Sequence, residues 1–346
     1  MLKRVFFLIL TALGNASMTL AAGDVELRIL ASSHCTPPSV IERFERQNNI
    51  RLRFEYFESP AVLDSYLQST PRGDLALVRN HFVRPLFENG QIARLDPVLL
   101  PNLKNLDPRA CGQASDSDQL FSVPYIQGTI GIIFRSDLLG PEKPLWYYVF
   151  GWETGSIPFS LPNHYRDTMG TALIHLGFSY NSTSPATIGQ AAEVIRALTG
   201  HPAFMGFLDS DETLRYLREN FIYVAVTYNN LAAQAMAGNP NLDFAVPAGA
   251  GVAWSFNYVL NSRSQKAEAA HKWLNYLMEP EVAAEVSAWN LATTPNLAAR
   301  PLLPPEIRDN PVLYPPEAVW REAEAPRDLG PASDSLFIEH WSRLKQ

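Results

Sequence analysis

Hydrophobic positions along the chain follow two periods in turn. "VELRIL" (25–30) and "IRLRFEYF" (50–57) repeat every second residue, the second with Ile50, Leu52, Phe54 and Tyr56 on one face, as strands do. Between them "PPSVIERFERQ" (37–47) carries a helical pattern opened by proline. A helix over 60–69, a short apolar strand "DLALV" (74–78) and a helix from about Phe82 to Asn89 continue the alternation. Strands separated by helices of this length predict a parallel sheet with helices on both faces. "SVPYIQGTIGIIFRSD" (122–137) then reads as a strand, a glycine-containing break and a further strand.

The pattern restarts after that. "SIPFSLP" predicts a strand, and "RDTMGTALIHLGF", "PATIGQAAEVIRALTG" and "SDETLRYLREN" predict helices. "YVAVTY" and "LDFAVP" are strands flanking the helix "NNLAAQAMAG". In "GVAWSFNYVLNS" (251–262), Trp254, Phe256 and Tyr258 alternate with Ser255 and Asn257, a strand with one aromatic face. Ala267, Ala270, Trp273, Leu274 and Leu277 then share one side of a helix. A chain that builds one α/β lobe, crosses to a second and returns leaves a cleft between them, a usual place for a small ligand.

The N-terminus changes where this protein is expected to work. "MLKR", the apolar "VFFLILTAL" and the small-residue stretch "NASMTLAAGD" follow the order of a secretory signal peptide, spanning about residues 1–22. The apolar run is too short to span a membrane as a helix. Without Lys3 and Arg4 the chain carries 26 Lys and Arg against 35 Asp and Glu, a net charge of −9. With no basic block, nucleic acid and anionic membrane surfaces are poor partners. Cys35 and Cys111 are the two cysteines; in an oxidising compartment they form either one disulfide or two separate thiols.

The segment "AAHKWLNYLMEPEVAAEVSAWNLATTPNLAARPLLPPEIRDNPVLYPP" (269–316) resembles the C-terminal signature of bacterial periplasmic polyamine-binding proteins of the spermidine/putrescine type. "VPYIQGTIGI", "LDSYLQS…GDLALV" and "VAVTYNNLAAQAMAG" fall in that family's order and spacing. The resemblance covers nearly all of the chain after the signal segment. It implies a type II periplasmic binding protein: two α/β lobes, a ligand cleft and two crossover strands. Lobe 1 would comprise 23–124 and 252–296, and lobe 2 would comprise 125–251 and 297–346. Such proteins hand a solute to an ABC permease, and some relatives serve membrane sensor proteins. The resemblance implies a monomer that binds a small molecule and needs no cofactor or metal.

Carried across one position at a time, the family's ligand-binding frame changes character. The loop after the first strand reads Ser32, Ser33, His34, Cys35, and the loop after the third reads Arg79, Asn80, His81. Where the second lobe of the family has two acids, "PNHYRD" places His164 and Asp167. One family tryptophan becomes Tyr228; another is present as Trp254, but the aspartate two residues on is Phe256. A polyamine closed in a dry cleft needs carboxylates to offset desolvation of each ammonium, and of the matching acids only Asp167 stands. The ligand frame is therefore Trp254, Tyr228, Asp167, Arg79, His81, His164 and Ser33. Each has a plainer role to weigh against it: core packing for Trp254, a strand end for Tyr228, helix-dipole complementation for Asp167, a solvated loop for Arg79, and surface or core histidines.

Catalysis has little support in the sequence. HExxH, CxxC and Walker-type motifs do not occur, and Ser342-Arg-Leu-Lys345 lacks the companion motifs of an S-x-x-K enzyme. The expectation is a non-enzymatic periplasmic solute-binding protein that takes a polyamine or, in view of Arg79 and the histidines, a zwitterion or anion. It delivers that ligand to a permease or docks on a membrane sensor.

Overall fold

The computed structural model describes residues 25–33, 35–57, 73–111, 116, 120–139, 145–150, 156–247 and 249–346. The signal-peptide segment, His34 and the helix expected over 60–69 lie outside them.

Nine strands form one sheet in the order β2-β1-β3-β9-β4-β7-β5-β6, with β8 also paired to β4. At one end β1 (Val25–Ser32) lies parallel between β2 (Ile50–Phe57) and β3 (Leu75–Arg79). At the other end β5 (Phe159–Pro162) lies parallel between β6 (Phe204–Leu208) and β7 (Val224–Tyr228). Two antiparallel strands join these halves: β4 (Ser122–Arg135) and β9 (Val252–Leu260). β4 pairs with β9 over Ser122–Ile130, then with β7 over Ile130–Phe134 on one side and β8 (Leu242–Ala245) on the other. At about 3.3 Å per residue its 14 residues reach roughly 45 Å, enough to run from one lobe into the next.

The break expected in β4 does not occur. The strand is continuous, with a register irregularity at Pro124/Ile126 rather than at the glycines. Gly128 is there for another reason. A Cβ on it would meet Asn229 Oδ1 and lie 2.5 Å from Trp254 Cζ2, so the missing side chain makes room for the indole. β6 was not foreseen either: its run Phe204–Leu208 is short, contains Gly206 at φ +119°, and lacks alternation. Cys35 is a buried free thiol, which decides against a disulfide.

Helices of the expected type connect the strands: α1 (Pro38–Asn48), α2 (Asn80–Glu88), α3 (Tyr165–His175), α4 (Pro185–Thr199), α5 (Ser210–Arg218) and α6 (Asn229–Met236), followed by α7 (Ala267–Leu277), α8 (Pro280–Asn290) and α9 (Gly330–Leu344). α1 shows why. Pro38 fixes its start, Val40 and Phe44 are buried, Phe44 against Trp273 and Tyr276 of α7, and Asn49 ends it in the left-handed region at φ 53°. No described helix is long and apolar enough to cross a membrane.

Two strand-to-helix junctions place the site. β3 ends at Arg79 and α2 begins at Asn80; β7 ends at Tyr228 and α6 begins at Asn229. Both are carboxyl ends of strands in parallel groups, where open α/β sheets present ligand groups.

Candidate functional site

Arg79 reaches from the end of β3 to Asp167 in the first turn of α3 and binds it with both arms of the guanidinium. Nη1 donates to Oδ1 at 3.0 Å and Nη2 to Oδ2 at 2.9 Å. Both side chains are buried, Arg79 at 4% exposure and Asp167 at 0%. Tyr228 completes a triangle: its hydroxyl accepts from Arg79 Nη2 at 2.7 Å and donates to Asp167 Oδ2. Tyr180, fully buried, donates its hydroxyl to Asp167 Oδ1 at 3.0 Å, and His164 Nδ1 stands 3.2 Å from Oδ2.

Local structure explains why an acid can sit there. His164 caps α3, its Nδ1 accepting from the Asp167 backbone N–H at 3.4 Å. The helix N-terminus favours a negative charge in its first turn. Burial alone would raise the Asp167 carboxyl, but the Arg79 guanidinium beside it outweighs burial and holds the group well below the usual carboxylate range. Burial pushes the phenols of Tyr228 and Tyr180 up, so both remain donors at neutral pH. Gly170 is part of this arrangement. A Cβ there would overlap the ring of Tyr180, whose hydroxyl could not then reach Asp167.

Beside this cluster lies a cavity of about 490 Å³. Trp254 and Phe256 of β9 form one wall, with ring centroids 6.0 Å apart at 71°. Phe57 at the end of β2 and Trp289 of α8 add aromatic surface. The Trp254 indole N–H donates to Thr129 O at 3.2 Å, and its ring meets Tyr228 edge-on at 5.9 Å, so the platform is held from both sides. Ser33 also lines the cavity, as do Asp209, just before α5, and Asp211 in its first turn.

The expected residues therefore divide. Ser33, Arg79, Tyr228 and Trp254 line the cavity. Asp167 does not; it lies behind Arg79, with its oxygens taken. His164 supports Asp167 rather than facing the cavity. His81 is buried at 6% exposure, and neither ring nitrogen has a hydrogen-bond partner. Burial, then the charges of Arg166 and Arg79, push its pKa well below the usual histidine value. Phe256, which stands where the family has an aspartate, also lines the cavity, whereas Tyr258 on the same strand is wholly buried. Sequence reasoning missed Phe57, Trp289, Asp209 and Asp211, which come from three separate stretches of chain. The acidic start of α5, with Asp209 before it and Asp211 in its first turn, was the one signal that could have flagged the two carboxylates. Among the described residues no three His, Cys, Asp or Glu side chains are grouped to hold a metal ion.

Comparison with known proteins agrees with this architecture. The sequence matches bacterial extracellular solute-binding proteins over residues 39–314. It is 29% identical over 312 residues to the spermidine/putrescine-binding periplasmic protein of Salmonella typhimurium, covering 89% of this chain and 88% of that one. The Escherichia coli protein of the same description is also 29% identical, over 314 residues, with the same coverage. A Listeria monocytogenes structure assigned to spermidine/putrescine ABC transport superposes with a TM-score of 0.85 at 28% identity, over 93% of this chain and 99% of that one. The fold is that of a periplasmic binding protein, and the chain belongs to the bacterial extracellular solute-binding protein family.

Proposed function

We propose that this protein is a periplasmic, monomeric and non-enzymatic carrier. It captures a small amine, of the polyamine class, in the aromatic cavity and delivers it to an ABC permease. Its export would use residues 1–22 as a cleaved signal peptide. The lobes would divide at 23–124 with 252–296 and 125–251 with 297–346.

The observation that carries this reading is the cavity lining, which brings five aromatic residues, Phe57, Tyr228, Trp254, Phe256 and Trp289, together with two acids, Asp209 and Asp211. Aromatic faces attract a desolvated cation by about 0.5–2 kcal/mol each. Carboxylates supply the compensation that an ammonium leaving water needs. A volume of about 490 Å³ suits a small organic ligand. Among the described residues Arg79 is the one basic side chain on the wall, and its charge is already matched by Asp167. That favours an amine over the zwitterion or anion that Arg79 suggests when read without its partner. The polyamine-binding relatives, at 29% identity over most of the chain, support the same class.

The test is thermal shift on protein stripped of carried ligand by unfolding and refolding. Putrescine, spermidine and spermine would be compared with amino acids and dicarboxylates. A ligand at ~100 times its dissociation constant adds about 2.7 kcal/mol, a rise of several degrees for domains of this size. Trp254→Leu keeps apolar volume but removes the π face, and should weaken amine binding roughly 5–30-fold, the equivalent of about 1–2 kcal/mol. A response to dicarboxylates with none to amines would refute the assignment.

A further inference from the structure

The Arg79–Asp167 pair has a property that the cavity alone does not explain: it ties the two halves of the sheet together. Arg79 stands at the end of β3, in the parallel group β2-β1-β3, while Asp167 follows β5 and Tyr228 ends β7, both in the opposite group. A second tie lies beside it, from Asn80 Nδ2 to Pro326 O at 3.2 Å. The contacts that normally require a ligand bridging two lobes are thus made by the protein's own cation.

A carboxylate offers about four lone-pair positions. Asp167 accepts from two guanidinium N–H groups and from the Tyr180 and Tyr228 hydroxyls, which fill all four. No position remains for an ammonium. Arg79 also lines the cavity, and its guanidinium lies 5.9 Å from the Tyr228 ring centroid and 6.0 Å from that of Phe256. Its guanidinium therefore lies between the cavity and the acid, against the aromatic faces that a ligand cation would use.

We propose that Arg79 is a tethered stand-in for a ligand cation: it closes the cleft in the absence of ligand and reserves Asp167 for itself, so that a captured amine is confined to the Asp209/Asp211 end. This deepens the reading of the cleft as an amine site and rests on it for the ligand class, but closure without ligand is a separate observable. It makes Arg79 the residue that sets specificity. An extended diamine must displace the guanidinium or place its charge at the mouth, whereas a short monoamine need not.

The experiment uses the mature protein and two variants, Arg79→Ser and Arg79→Ser with Asp167→Asn. Small-angle scattering reads closure without ligand, and titration calorimetry with putrescine reads the freed subsite. The double variant guards against misfolding, because it leaves no unpaired charge buried, and circular dichroism checks both. The proposal expects ligand-free wild type to scatter as a closed molecule and both variants to expand. It also expects Arg79→Ser alone to bind putrescine at least 10-fold more tightly than wild type, with no such gain in the double variant. An unchanged radius of gyration in both folded variants overturns the closure. Expansion without a gain in putrescine affinity in Arg79→Ser overturns the reservation of Asp167. The closure result does not depend on whether wild type responds to amines, which is what tests the proposed function.

Discussion

The two ends of the cleft use the same kinds of residue, acids and aromatic rings, in opposite states of satisfaction. At the deep end Asp167 is fully buried and every oxygen is engaged, with Arg79, Tyr180, Tyr228 and His164 around it. At the mouth Asp209 immediately precedes α5, Asp211 is exposed in its first turn, and Trp289 is 51% exposed. The difference teaches where a charge can be used for binding. A carboxylate whose desolvation is already offset by an internal partner contributes to closure. One at an open edge remains available to a solute.

The sharpest way to break this contrast is to neutralise one acid at each end. Asp167→Asn leaves the Arg79 guanidinium buried without its counter-charge, and removing one member of a buried pair costs about 3–5 kcal/mol. Asp211→Asn, on an exposed helix start, should stay within about 0.5 kcal/mol of wild type. Urea midpoints of the two variants would show the gap; equal midpoints would mean that the deep pair is not the structural element described.

Next in size is a substitution that disturbs the platform joining the ends. Gly128→Ala drives a methyl group against Asn229 Oδ1 and the Trp254 ring, so the indole must shift or β4 must bend. Overpacking of this kind costs about 1–3 kcal/mol. The same variant should bind amines more weakly than its stability loss alone would suggest. Retained stability and affinity would show that the indole has room to move.

The smallest effect is in pH. Burial, followed by the charges of Arg166, Arg79 and His164, holds His81 neutral in the folded protein, with Asp167 the opposing charge. Because its folded pKa is depressed, the unfolded chain binds the extra proton first. Stability is full above about pH 6.5 and falls as the pH drops below it, by up to about 1.4 kcal/mol per pH unit. His175, also pushed down by burial, adds in the same direction. Asp167 behaves differently: its depressed pKa keeps its contribution intact until the pH falls below about 3.9. His81→Gln should therefore flatten the stability profile between pH 6.5 and 5, as read by chemical denaturation across that range. An unchanged slope would exclude His81 as its source.

Much of the fold was legible because its signals are local. Proline at the starts of α1, α4 and α8, and two-residue periodicity in β1, β2 and β9, place elements without knowledge of their neighbours. The glycines of β4 misled for the complementary reason. A glycine looks the same in sequence whether it breaks a strand or admits a ring, and only the position of Trp254 distinguishes the two. The site was half legible. Trp254, Tyr228 and Arg79 lie on the elements expected of them, while Phe57, Trp289, Asp209 and Asp211 meet only because separate strands and helices converge.

The sequence by itself determined the alternation of strands and helices, the crossing and return of the chain, the family resemblance and the roster of groups able to bind a ligand. Each of these depends on short-range periodicity or on residue order. What only the tertiary structure decided is which charge faces which. Arg79 and Asp167 are 88 residues apart, and read singly they suggest an anion site and a cation site. Packed together at 2.9 Å in a buried environment, they cancel one another, because neither could be desolvated there without the other. The ligand-facing charge of the cavity then passes to the acids at its mouth.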